Sequence, residues 1–334
     1  MTNKHHELEA ADGISAARRQ FLRKTGRAGL LVLGGPALAV TWAGAAHGAT
    51  RAYAAGLYGL ELDGVFAGLV TGFSGGNVTA DVIREPAGQD LVQHKRPGAP
   101  RVEPITIEAG PPMAKPLYDW IKASVEPRAK FPRKNGAIIE FDAAMKEMGR
   151  RNFFNAHLTG VEFPGCDGAS KEQASLAVTF SPETVRLSAP KGATPPPRPQ
   201  KKAPWLRSNF RLRIQGLEAA TARTVKIEPI ETKVIQPAAI EVPNLVITVS
   251  DASVGLFYNW LEEFVVKGNS AQERERTGVL EYMAPNLSSV LLAVNFFNLG
   301  ILKVSPEAAG ADAIRRSRVE MYCEAVTADF KGLG

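Results

Sequence analysis

The sequence predicts a mainly β chain made of two copies of one mostly antiparallel β domain, each capped by a single amphipathic helix. Three observations predict it. The tetrapeptide Asn-Phe-Phe-Asn occurs at residues 152–155 and again at 295–298. Two further blocks repeat in the same order: Leu117-Tyr118-Asp119-Trp120-Ile121 with Phe257-Tyr258-Asn259-Trp260-Leu261, and Asn135-Gly136-Ala137-Ile138 with Thr277-Gly278-Val279-Leu280. The offsets are 140, 142 and 143 residues, so the unit is too long for a solenoid repeat and has the size of a complete small domain. Finally, short alternating apolar runs dominate each copy, and helical spacing appears once in each.

Taken in order, residues 60–66, 78–83 and 105–108 read as strands, and residues 137–141 read as another after an Asn135-Gly136 turn. Behind Pro116, a favoured first helical residue, Leu117, Trp120, Ile121 and Val125 recur at helical spacing. Phe257, Trp260, Leu261, Phe264 and Val265 do the same in the second copy. Strand patterns return at 161–163, 176–180 and 319–323. The expected organisation is a leader over 1–50, a first domain over 53–189, a linker over 190–207 and a second domain over 208–330.

The size and composition allow this. A chain of 334 residues with 45% hydrophobic content holds enough apolar material for two ordinary cores. Its net charge of +6 raises the question of a nucleic-acid partner. However, residues 1–51 carry seven Lys/Arg against three acids, residues 190–208 carry five against none, and the two remaining blocks are slightly acidic. The basic excess belongs to the leader and linker, whereas a nucleic-acid surface puts it on the folded body.

In the leader, Arg18 and Arg19 precede Gln20, Phe21, Leu22, Arg23 and Lys24, and a Gly/Ala-rich apolar run follows. This resembles a twin-arginine export signal, read by a receptor of the export machinery. Several small residues near 43–49 offer cleavage points, and the glycines make the run a poor membrane span. Export to the periplasm or outside the cell is the expectation, and a cytoplasmic location is the alternative. The linker, PKGATPPPRPQKKAP, holds six prolines with basic residues and reads as an extended polyproline spacer, or else as a proline-motif ligand.

Only two cysteines are present, Cys166 and Cys323, at positions that do not correspond between the copies. The count excludes a disulfide framework and a four-cysteine zinc site, leaving buried thiols or a single bridge in an exported protein. No His/Asp/Glu cluster has ligand spacing, so neither a metal nor a cofactor is expected. Gly72-Phe73-Ser74-Gly75-Gly76 matches the nucleophile elbow of hydrolases, but that elbow needs a helix after it and NVTADVI alternates like a strand. With only His94 and His157 beyond the leader, no triad forms, and a Gly-rich turn is the better account.

The Asp63-Gly64 opening, Gly72-Phe73-Ser74-Gly75, Arg96-Pro97-Gly98, Ile105-Thr106-Ile107, Leu117 with Trp120, Asn135-Gly136 and Asn152-Phe153-Phe154-Asn155-Ala156 together resemble the tail-tube protein family of contractile-tailed phages and phage-derived injection particles. The resemblance covers about residues 57–187 and, more loosely, 210–330. It implies small β-sandwich or barrel domains whose sheets join between neighbours around a channel in six-membered stacked rings. It also implies a structural, non-enzymatic role, with further copies of the chain and sheath or baseplate proteins as partners. Within that picture Trp120 and Trp260, with Tyr118 and Tyr258, anchor the helices on the sheets. Phe153, Phe154, Phe296 and Phe297 alternate between core and interface, the other reading being core for all four. Two fused copies lead us to expect a pseudo-sixfold ring of three chains, and the alternative is an exported monomeric adaptor with the same double β fold.

Overall fold

The computed structural model describes residues 57–86, 92–110, 113–126, 130–190, 205–235, 239–307 and 314–331. The chain divides into two compact units, Met1–Arg51 and Ala52–Gly334, and every described residue belongs to the second. The twin-arginine motif of Arg18, Arg19, Phe21 and Leu22 lies outside the described residues, as does residues 191–204 of the expected spacer. Among the described residues, no helix is long and apolar enough to cross a membrane.

The first half is a barrel. β1 (Leu57–Leu62) and β2 (Val65–Gly75) form a hairpin, so residues 60–66 are not the single strand expected. The reason is Asp63-Gly64: both have positive φ, 48° and 82°, as a two-residue turn of the primed type requires. β3 (Val78–Arg84) and β4 (Lys95–Val102) make a separate two-stranded hairpin, and β5 (Ile105–Ala109) returns to β2. The helix α1 (Lys115–Val125) buries Leu117, Tyr118, Trp120, Ile121 and Val125, the face its spacing predicts. β6 (Lys134–Phe141), the long β7 (Glu147–Phe163), β8 (Cys166–Asp167), β9 (Leu176–Ser181) and β10 (Thr184–Ser188) follow. β9 pairs with both β5 and β7, which closes the order β7-β6-β1-β2-β5-β9 on itself. Alternate residues such as Leu60, Leu62, Ile105, Ile107, Val178 and Phe180 fill the interior.

Asn135-Gly136, expected as a turn, lies inside β6. Glycine is needed there because a Cβ would stand 2.1 Å from the Glu61 carbonyl oxygen and 2.5 Å from the Phe153 ring. Asn135 meanwhile uses its backbone N–H to hold the Asp63 carboxylate at 3.0 Å, pinning the β1–β2 turn.

The second half comprises β11 (Phe210–Ile214), α2 (Glu218–Thr221), β12 (Thr224–Ile227), β13 (Ile230–Ile235), β14 (Ala239–Glu241), β15 (Leu245–Ser250), α3 (Gly255–Leu261), β16 (Arg276–Met283), β17 (Val290–Pro306) and β18 (Arg316–Phe330). Its sheet runs β11-β16-β17-β18-β15-β12-β8 and stays open between β11 and β12, because α2 stands where the first half has its closing hairpin. α3 continues into a π-helical turn, Glu262–Val266. That turn carries Val265 out to solvent, against the expectation that it shares the buried face of Phe257, Trp260 and Phe264. A single cluster of buried side chains runs through both halves, from Leu60 to Ala328.

Candidate assembly interface

The repeated tetrapeptide sits in the middle of the longest strand of each half, β7 and β17. Phe153 and Phe296 are 0% and 1% exposed and lie in the core, whereas Phe154 and Phe297 are 39% and 38% exposed on the opposite face. The final asparagines, Asn155 and Asn298, have φ of 52° and 56°. Asparagine tolerates this left-handed region better than most residues because its short amide can bond locally. Asn155 Nδ2 donates to Glu183, and Asn298 Nδ2 donates to Glu324 at 2.9 Å. The first asparagines also behave alike: Asn152 donates to Ser188 Oγ at 2.9 Å and Asn295 to Thr327 Oγ1 at 3.2 Å.

The left-handed residue ends the pairing on one edge. β6 leaves β7 after Lys134↔Ala156, and β16 leaves β17 after Arg276↔Leu299. Past that point each long strand carries a bulge against its other neighbour, between Leu158 and Gly160 in one half and between Ile301 and Lys303 in the other. Each half therefore finishes its long strand with one edge that no described strand of the same half covers. Such an edge presents a row of unpaired N–H and C=O groups.

In β7 the second half fills that edge. β13 pairs with it from Ile230↔Phe163 to Lys233↔Gly160, and β14 extends the sheet beyond β13. Ile230, Thr232 and Val234 are buried in the joint, and Thr232 Oγ1 donates to the Val161 carbonyl at 3.0 Å. In return, β8 of the first half pairs with β12 of the second, Cys166 opposite Ile227 and Asp167 opposite Lys226. Tyr282 donates its buried hydroxyl to the Pro164 carbonyl at 2.8 Å, and its ring meets Trp205 edge-on at 5.1 Å. Arg207 donates from Nε to the Gly165 carbonyl at 3.0 Å. The residues closing the expected linker thus belong to the packed joint.

The expected anchors are placed as follows. Trp120 is buried against Phe180 at 5.4 Å and donates Nε1 to the Pro132 carbonyl at 2.8 Å, fixing α1 to the barrel. Trp260 is buried, with the Arg276 guanidinium 4.8 Å from its ring. Tyr118 is buried because Phe330 of β18 stacks on it at 4.3 Å, and Lys122 pairs with Asp329 at 3.6 Å beside it. Tyr258, in the matching place on α3, is 43% exposed and anchors α3 to nothing among the described residues. Sequence reasoning missed β13, Trp205, Tyr282 and Phe330 as joint residues; the alternation of Ile230, Thr232 and Val234 was the available signal.

Other chemistry is limited. Ser74 lies in β2 opposite Thr106, and Gly75-Gly76 lead into β3 rather than a helix, so the elbow geometry is not formed. Burial, then the Arg133 charge, lowers the pKa of His157. Cys166 and Cys323 are free and buried, and burial pushes their thiols up to about 12 and about 11. Among the described residues no group of three His, Cys, Asp or Glu stands together as a metal site.

No protein-family model and no curated protein matches the chain. It is similar to a chain in the extended sheath-tube complex of an extracellular contractile injection system, PVC, at 23% identity over 40% of this chain and 88% of the other, with a TM-score of 0.34. It is similar to the tube-terminating cap of the anti-feeding prophage at 23% identity, over 46% and 99%, with a TM-score of 0.36. It is also similar to Hcp1 from Flavobacterium johnsoniae at 17% identity, over 41% and 96%, with a TM-score of 0.25. Less than half of this chain matches most of the length of each of these three proteins.

Proposed function

We propose that this chain is a non-enzymatic structural subunit of the tail-tube kind, in which two fused copies of one small β domain build a ring or short tube of a phage-tail-like particle. The observation that carries the reading is the joint inside the chain, where one half adds a strand to the open edge of the other. Strand addition is how like domains are held side by side in a closed ring. Duplication accounts for the left-handed asparagines and the bulges, which recur at one offset of 143 residues in β7 and β17.

Three chains then suffice for a pseudo-sixfold ring with threefold symmetry, unlike copies alternating. Sheath or baseplate proteins are the outer partners that the sequence resemblance implies, and the twin-arginine leader would place the particle outside the cytoplasm. Native mass spectrometry with negative-stain imaging of the full chain tests this, and a three-chain ring is expected. A particle of six chains with no three-chain species would replace the trimer with two stacked rings. A monomer at every concentration would overturn the reading in favour of a monomeric adaptor.

A further inference from the structure

The joint inside the chain uses one donor and one acceptor, and the chain contains a second donor and a second acceptor that do not meet. The unused donor is the β3–β4 hairpin. It leaves β2 through two residues, Gly76-Asn77, as β13 leaves β12 through Glu228-Pro229, and it returns to β5 as β14 returns to β15. Its first strand reads Val78-Thr79-Ala80-Asp81-Val82-Ile83 against Ile230-Glu231-Thr232-Lys233-Val234-Ile235, the same alternation ending in the same Val-Ile. In β13 the alternating apolar face is buried, whereas Val78 and Val82 are 59% and 62% exposed. β3 and β4 pair only with each other among the described strands.

The unused acceptor is the end of β17. Shifted by the offset of the repeated tetrapeptide, the residues of β7 that receive β13 correspond to Lys303–Pro306, which pair with β18 on one edge and with no described strand on the other. Tyr258 of α3 is exposed and is the counterpart of Tyr118, which in the internal joint is covered by the end of β18. The matching cover would be the end of β10, where Leu187 is also exposed.

We propose that the β3–β4 hairpin of one chain docks on the β17 edge of a second copy, in the register of the internal joint, and that the end of β10 covers Tyr258. That register sets Ala80 opposite Val304 and Asp81 opposite Lys303. Asp81 is held in the free hairpin only by exposed Arg101, at 2.6 Å, and Lys303 is exposed. The pairing puts an acid opposite a base, and donor and acceptor are different surfaces on different halves, so the contact is heterologous, the kind that builds a ring where its rotation closes.

This inference rests on the ring reading, and its test separates the two. Native mass spectrometry is run on the full chain and on the exposed-residue variants Asp81→Lys, Lys303→Glu and the two combined, with circular dichroism as a fold control. Each single reversal is expected to weaken each joint about two- to thirty-fold, from the size of cross-strand charge pairs, and the combined reversal to restore assembly. Carbodiimide coupling of the unmodified chain should join Asp81 to Lys303, with mixed-isotope pairs in particles assembled from labelled and unlabelled chains. A ring that forms without that cross-link and withstands both single reversals overturns the hairpin docking and leaves the ring reading intact. A full chain that stays monomeric overturns both.

Discussion

Removing Trp120 or Trp260 should move one unfolding transition, not two. Both side chains are at most 5% exposed, and both belong to the single buried cluster that runs through the two halves. Truncating a buried large aromatic to alanine costs about 3–5 kcal/mol, from lost transfer energy and the cavity left behind. For a body of this size roughly 2 °C accompanies each kcal/mol, so each variant should melt about 6–10 °C lower. Milder substitutions should separate the two sites. Trp120→Phe also removes the hydrogen bond from the indole N–H to the part-buried Pro132 carbonyl at 2.8 Å, adding about 0.5–1.5 kcal/mol. The Trp260 Nε1 has no hydrogen-bond partner among the described residues, so Trp260→Phe loses only ring area and the Arg276 contact at 4.8 Å. Differential scanning calorimetry and urea titration followed by far-ultraviolet circular dichroism measure both effects. Two separate transitions, with Trp120→Ala shifting one and Trp260→Ala the other, would refute the shared core. Equal costs for the two phenylalanine variants would refute the hydrogen-bond argument.

Within each tetrapeptide, Phe153→Ala and Phe296→Ala should cost about 3–5 kcal/mol, while Phe154→Ala and Phe297→Ala should stay below about 1 kcal/mol in the isolated chain, as urea midpoints will show. At the left-handed positions, Asn298→Gly should be better tolerated than Asn298→Ala by about 1 kcal/mol, since glycine adopts positive φ freely; equal melting temperatures would contradict it. Gly136→Ala should destabilise by at least about 1–3 kcal/mol, because the added methyl meets backbone rather than a movable side chain. Cys166, pushed up to about 12 by burial, and Tyr282, raised by burial and then by Cys166, are both kept protonated in the folded state. Their contribution is complete below the ordinary thiol range near pH 9 and is lost as pH rises toward 12, so urea midpoints should hold from pH 7 to 8.5 and fall above that. At pH 8 a thiol reagent should label neither cysteine until the chain unfolds.

The features readable in the sequence were those with a local period. The buried face of α1 and the inward–outward alternation of the two phenylalanine pairs follow from spacings of 3.6 and 2 residues, which require no knowledge of distant partners. Dipeptides were harder to read. Asp63-Gly64 makes a tight turn, while Asn135-Gly136, an equally good turn signal, is held inside β6 by the crowding of Glu61 and Phe153. Long-range placement was out of reach. Alternation marks residues 230–235 as a strand, but nothing in it says that the strand crosses to β7 instead of staying beside β12. Tyr118 and Tyr258 share the same local motif and differ in burial only because Phe330, more than two hundred residues from Tyr118, stacks on one of them. Trp205 was hidden by the proline-rich composition before it.

The exchange of strands between the halves means that the peptide linking them is not what keeps them together. The first half alone has a bare ladder along Gly160–Phe163, and the second alone leaves the outer edge of β12 without Cys166 and Asp167. Each carries the piece the other lacks. A chain severed between Pro190 and Trp205 would therefore remain one particle, held by two separate ladders, the Tyr282–Pro164 and Arg207–Gly165 hydrogen bonds, the Lys122–Asp329 pair and the Tyr118–Phe330 stack. The same architecture could be encoded as two polypeptides that complement each other, or with its ends relocated to that break.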